Sequence, residues 1–118
     1  MSEDRLTQEC YLWFHNTYPS LRGLLFHVPN GGRRFGFEAS KFKTMGVWKG
    51  VADFLFVFNG NILGIELKTA KGVQSPSQKE WEAQFVMKGG GSYYIARTLQ
   101  EFQYIVNQTL TANGYKVS

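Results

Sequence analysis

A chain of 118 residues that is 43% hydrophobic and 19% charged is long and apolar enough for one folded domain over residues 1–118, which excludes a disordered polymer. One cysteine and two histidines exclude an internal disulfide and a zinc-finger pattern, so any metal is expected on oxygen ligands, and no small-molecule organic cofactor is expected. The polar, acidic first ten residues and the lack of any apolar run of bilayer length predict a soluble, intracellular protein with no signal peptide and no membrane partner.

Residues 3–18 read as a helix, because Leu6, Cys10, Trp13, Phe14 and Thr17 recur along one face and Pro19 stops the pattern. Leu24 to Val28 is a short apolar strand, ended by the turn signal Pro29-Asn30-Gly31-Gly32. The segment that follows, to about Gly50, has no clean period and leaves room for a short helix from Phe37 to Thr44. Its Arg33, Arg34, Lys41, Lys43 and Lys49 meet a single acid, Glu38, so this segment holds the whole net charge of +4. Such a concentration suits a polyanion, since each neutralised phosphate releases condensed counterions; the alternative is a solvated loop.

Val51–Phe58 and Asn61–Lys68 are apolar runs around Asn59-Gly60, the signature of a two-residue hairpin. Ser75 is placed to cap the next helix, with Pro76 at its first position, Gln78 completing a capping box, and Trp81 and Phe85 marking its inner face. Gly89-Gly90-Gly91 ends that helix, Ser92–Ala96 is another strand, Leu99–Leu110 a last helix, and the tail from Thr111 is expected to fray. The order helix, three strands, helix, strand, helix places the chain in the α/β class with at least one β-α-β crossover.

Alternation along the hairpin sets Asp53, Leu55 and Val57 on one face and Phe54, Phe56 and Phe58 on the other. Glu66 and Lys68, two apart, share a face with Gly64. Pairing Phe58 with Asn61 across the turn carries Asp53 opposite Glu66. Two acids facing each other in Phe-rich strands are destabilising unless a cation compensates them. Hard carboxylate oxygens select Mg²⁺ or Mn²⁺, and a neighbouring lysine adds charge for a phosphate, which is the toolkit of phosphodiester hydrolysis. The alternative is a structural Glu66–Lys68 ion pair with Asp53 facing solvent. Glu9 borders the buried face of the first helix, where it is a metal ligand, an outer base or a snorkelling surface acid. Gln78 faces the sheet or serves only its capping box. His27 reads as a strand residue with a satisfied hydrogen bond rather than a base, and Cys10 as core.

Taken together, Gly50-Val51-Ala52-Asp53, Ile65-Glu66-Leu67-Lys68 and Ser75-Pro76-Ser77-Gln78-Lys79-Glu80-Trp81 resemble the VRR-NUC family of the PD-(D/E)xK nuclease superfamily, in its stand-alone, virus-type form. The resemblance extends to Glu9, to the run from His27 to Gly32, to Lys49-Gly50 and to Gly72. It implies a restriction-endonuclease-like core, a mixed central β-sheet flanked by helices. It also implies that Asp53 and Glu66 hold the metal, that the Leu67 carbonyl joins them, and that Lys68 orients or activates water. Glu9 is similar to an additional first-helix acid of the family, and Gln78 to its active-site glutamine. Ala52 stands where the family usually has proline, a change of backbone shape and not of ligand.

The expected activity is Mg²⁺- or Mn²⁺-dependent DNA endonuclease action, and the superfamily resemblance implies 5′-phosphate and 3′-hydroxyl products. Asn30, Gly31, Arg33, Arg34, Lys41, Lys43, Lys49 and Lys71 are the expected DNA contacts. Because one site cuts one strand, symmetric cutting needs two copies, and compact single-domain members resemble homodimeric four-way (Holliday) junction resolvases. The expected substrate is therefore branched DNA and the expected assembly a homodimer. The alternatives are a monomeric flap or nicking endonuclease with the same site and a DNA-binding module that has lost catalysis.

Overall fold

The computed structural model describes residues 1–29 and 39–117. Helix α1 (Glu3–Thr17) starts at Ser2, whose side chain accepts from the Arg5 N–H, and a 3-10 turn (Pro19–Leu21) follows it. Strand β1 (Leu25–His27) leads to a short α2 (Ala39–Thr44), then to the hairpin β2 (Phe54–Phe58) and β3 (Asn61–Leu67). Helix α3 (Pro76–Met87), strand β4 (Ser92–Ala96) and helix α4 (Leu99–Ala112) complete the chain. β2 begins three residues inside the run read from sequence and β3 ends one residue inside its run, and the part of the short helix before Ala39 lies outside the described residues. No helix among the described residues is long and apolar enough to cross a membrane.

The four strands form one mixed sheet in the order β1-β2-β3-β4, with β1-β2 and β2-β3 antiparallel and β3-β4 parallel. The crossover through α3 provides the parallel pair. Asn59 and Gly60 turn the hairpin at φ of 49° and 82°, the left-handed region that a type I′ turn requires at both positions. The register runs from Phe58↔Asn61 to Phe54↔Ile65, the pairing that carries Asp53 to the end of the ladder beside Glu66.

One face of the sheet is the core. Leu25, Phe54, Phe56, Leu63, Ile65, Leu67 and Ala96 are buried there beneath α1 and α4. Those helices contribute Leu6, Cys10 and Phe14, and Phe102, Val106 and Leu110, each set spaced four apart as an inward stripe must be. Tilted and edge-on ring pairs join the layers, with Phe14 5.5 Å from Phe56 and Phe54 5.4 Å from Phe102. The tail departs from the expected fraying. α4 runs to Ala112, and Tyr115 then packs edge-on against Tyr18 and Phe58 while its hydroxyl meets that of Ser20 at 3.0 Å. Aromatic burial beyond the helix end, with the Asn113 side chain accepting from Asn61 at 3.0 Å, ties down what the helical pattern alone left loose.

The other face carries α3. Trp81 and Phe85 stack at 4.5 Å and 14° over Gly64, where a Cβ would lie only 3.1 Å from the Phe85 ring, and at Gly91 a side chain would collide with that ring outright. Gly50 brings the chain before β2 onto the first turn of α3. Its φ is +90°, and a Cβ there would lie 2.6 Å from the carbonyl carbon of Ser77.

Gly50→Ala therefore combines a left-handed backbone penalty of about 1–2 kcal/mol with a clash. Gly90→Ala, at φ +73° with open space around it, has the backbone penalty alone. Urea unfolding is expected to show the larger loss for Gly50→Ala; equal losses would mean that the contact with α3 contributes nothing.

Candidate active site

The hairpin's open end brings the charged residues together. Asp53 lies one residue before β2, and its Oδ2 accepts the backbone N–H of Leu67 at 2.7 Å, so a side chain takes the place of a backbone acceptor at the end of the ladder. Its own carbonyl accepts two hydrogen bonds, from the Val28 N–H and from His27 Nδ1–H, both at 2.8 Å. His27 is thus the satisfied strand residue expected, and it holds the Asp53 backbone from the neighbouring strand.

Glu66 and Lys68 project from β3 and its end onto the α3 face, where they are 1% and 8% exposed. Lys68 Nζ lies 3.6 Å from Glu66 Oε2, and Gln78 Nε2 donates to the same oxygen at 2.7 Å. The other end of the Gln78 amide, Oε1, accepts the Ser75 N–H at 2.8 Å and completes the capping box of α3. The two readings of Gln78 are therefore both present in one side chain. Burial first, and then the neighbouring carboxylate of Asp53, push the Glu66 carboxyl up to about 8, with Lys68 opposing the rise.

Glu66 Oε1 is buried without a hydrogen-bond partner. An orphan buried acceptor costs about 1–3 kcal/mol, more when charged, and a second acid beside it adds repulsion. Both penalties vanish if a divalent cation binds there. Two hard carboxylates, with the carbonyl of Leu67 next after Glu66, match the donor set Mg²⁺ or Mn²⁺ prefers, so the residues present fit the ion.

The loop after Lys68 is held from β4. Arg97 Nη1 donates to the carbonyls of Thr69 at 2.8 Å and Gly72 at 2.7 Å. Gly72 approaches closely enough that a Cβ would touch the Lys68 stem at 3.3 Å. Beside this loop, Gln74 Nε2 donates to Glu82 Oε1 at 2.8 Å and to the Tyr93 hydroxyl at 3.2 Å, and burial raises the Tyr93 phenol. Arg97, Gln74, Glu82 and Tyr93 escaped the sequence reading. Arg97 follows a strand and precedes the Thr98 cap, and nothing local signals that its guanidinium reaches back 25 residues and more.

Glu9 stands apart from the carboxylate pair. It is half-buried, forms an ion pair with Arg5 at 3.4 Å, and faces a cavity of about 380 Å³ lined also by Thr69, Ala70 and Arg97. Among the described residues no cluster of three or more His, Cys, Asp or Glu is arranged to hold a metal. Lys41, Lys43, Lys49 and Lys71 are exposed, while Asn30, Gly31, Gly32, Arg33 and Arg34 lie outside the described residues. Cys10 is core, its thiol pushed up to about 12 by burial and by Glu9.

The raised Glu66 carboxyl has a measurable consequence for the metal-free protein. Native Glu66 keeps its proton to about pH 8, whereas the unfolded chain releases it near 4.5. Between those values the native state binds more protons, so stability is greatest at the acid end, falls as pH rises, and levels off above about 8. Urea midpoints measured from pH 5 to pH 8.5 with chelator are expected to decline in wild type and to decline less in Glu66→Gln. The same slope in both proteins would remove Glu66 as its source.

No family model matches the sequence, and no curated protein matches it significantly. Among solved structures, one described as "VRR_NUC domain protein" superposes with a TM-score of 0.78 over 94% of this chain and 89% of its own, at 24% sequence identity. The mixed four-stranded sheet flanked by helices is thus the architecture that the VRR-NUC resemblance implied, and over nearly its whole length the chain has the fold of a VRR_NUC domain protein.

Proposed function

We propose that this chain is a VRR-NUC nuclease, a divalent-metal-dependent DNA endonuclease whose centre is Asp53, Glu66 and Lys68. The observation that carries the reading is the buried Glu66, held on one oxygen by Gln78 and Lys68 and left without a partner on the other, beside a second acid. A protein that needed only an ion pair has no reason to keep that oxygen unsatisfied. Asp53 and Glu66 would hold Mg²⁺ or Mn²⁺, which when bound would supply Lewis acidity for a phosphate oxygen and an attacking water.

The chain's own groups do the rest. The Leu67 N–H holds one oxygen of Asp53, which fixes the carboxylate before substrate arrives. Gln78 fixes the Glu66 carboxylate in the same way, and its own orientation is fixed by the Ser75 N–H. Lys68 Nζ, buried and 3.6 Å from Glu66, is placed to donate to a phosphate oxygen and to align water for in-line attack. Water adds to phosphorus, the bond to the 3′ oxygen breaks, and a proton passes to that oxygen, leaving 5′-phosphate and 3′-hydroxyl ends. The exposed Lys41, Lys43 and Lys49 attract the DNA backbone without reading its sequence.

The finer reading is a homodimer that resolves four-way junctions. What supports it is that each chain offers one carboxylate pair, so paired cuts across a symmetric junction call for two chains. A flap or nicking endonuclease acting as a monomer is the competing outcome.

The test is Mg²⁺ and Mn²⁺ cleavage of duplex, flap, splayed-arm and four-way-junction DNA, with the molecular mass of the protein measured in solution. Asp53→Ala and Lys68→Ala are each expected to lose roughly 100-fold or more of the rate. Full activity in both would sink the assignment. Symmetric paired nicks from a dimer support junction resolution, and single nicks from a monomer favour the flap enzyme.

The double duty of Gln78 separates stability from activity. Ser75→Ala is expected to lose about 1 kcal/mol with the cap while keeping most of the rate. Gln78→Ala has a similar loss of stability and a much larger loss of rate. Equal rates in the two variants would mean that the glutamine is a cap and nothing more.

A further inference from the structure

The segment from α2 to β2 exposes a run of large apolar side chains that the fold does not use. Met45, Val47 and Trp48 are 65%, 48% and 69% exposed. Trp13 packs against Phe14, Tyr18 and Phe102, and Trp81 stacks on Phe85, whereas no ring among the described residues packs on Trp48. Leaving an indole in water forgoes the burial that the other two tryptophans obtain.

Its surroundings indicate what covers it. Residues 39–52 contain Lys41, Lys43 and Lys49 and no acid, and all three lysines are exposed. Two residues after Trp48, Gly50 is pressed against Ser77 and Gln78 at the start of α3, and Gln78 in turn holds Glu66. Trp48 therefore lies within about 7 Å of Gly50 along the chain, at the rim of the candidate active site. A protein partner of ordinary composition has no need of three cations and no counter-charge. A nucleic acid needs both features, cations for its phosphates and a flat ring for a base.

The ring also selects among nucleic acids. Inside a paired duplex both faces of each base are already stacked. Only an unpaired or splayed base has a free face to place on an exposed indole, and such stacking accepts any base. We propose that Trp48, flanked by Lys41, Lys43 and Lys49, is a stacking platform for an unpaired nucleotide, which gives this site a preference for DNA with single-stranded character next to the cut. The proposal rests on the nuclease reading for its biological setting and not for its test.

The test measures binding with chelator present, so that no strand is cut. The probes are a paired duplex and the same duplex with a single-stranded thymidine arm, each labelled for anisotropy, on wild type, Trp48→Ala and Trp48→Phe. Wild type is expected to favour the armed DNA, and Trp48→Ala to lose about tenfold on it while changing little on duplex. Trp48→Phe keeps an aromatic face and is expected to restore most of the affinity. The armed DNA should also quench the exposed, red-shifted part of the tryptophan emission in wild type, and duplex should quench it less. Equal affinity of wild type and Trp48→Ala for the armed DNA overturns the proposal, as does equal quenching by both DNAs. Cleavage by wild type in Mg²⁺ is scored separately, so a chain that stacks DNA without cutting it removes the nuclease reading and leaves this one standing.

Discussion

The register of the β2–β3 hairpin decides where the charges go. Asn59 and Gly60 turn at positive φ, Phe58 pairs with Asn61, and every later pair follows. Because side chains alternate, a slip of β3 by one residue would carry Glu66 and Lys68 into the face now filled by Phe54 and Phe56, and would turn Leu63, Ile65 and Leu67 toward α3. The phenylalanines thus act as the lock on the chemistry. Their burial under α1 and α4 makes the alternative register expensive, and Glu66 and Lys68 on the partner strand are placed on the other face as a consequence.

Given that register, Glu66 is in difficulty. It is buried, faces a second acid, and has one oxygen without a partner. The neighbours that relieve it come from separate parts of the chain, Lys68 from the end of its own strand and Gln78 from α3. Gln78 links the helix cap to the acid through one rigid amide. Oxygen toward Ser75 and nitrogen toward Glu66 is the orientation that satisfies both, so the cap sets the direction from which the carboxylate is held. Arg97 does for the loop after Lys68 what Gln78 does for Glu66, by collecting carbonyls that turn back on themselves.

What the sequence made legible follows from how local each signal is. The hairpin, its turn, the cap at Ser75 and the strand Ser92–Ala96 are specified by neighbours within four or five residues, and each formed where such signals place it. Asp53, Glu66 and Lys68 were legible because period-2 alternation and one turn suffice to bring them together. Arg97 was not, since its partners are carbonyls that carry no side-chain signature. Tyr115 was missed because its value lies in Tyr18 and Phe58, which no period connects to a tail. Glu9 shows the limit from the other side. Helical spacing correctly set it at the border of a buried face, but spacing cannot say which partner fills that border, and here Arg5 of the same helix does.

The two faces of the sheet divide the work of stability and chemistry. On the core side Phe14, Phe54, Phe56 and Phe102 are essentially inaccessible to water, and burying a phenylalanine is worth about 1.5–3 kcal/mol each. On the α3 side no residue of the helix is fully buried, and glycines at positions 64 and 91 let Phe85 and Trp81 down close to the strands. On this same face burial and the neighbouring Asp53 raise the Glu66 carboxyl, and its Oε1 has no hydrogen-bond partner. The cost of burying Glu66 falls on the stability of the whole fold, and the same dehydration would strengthen the hold of the proposed site on a cation and a phosphate.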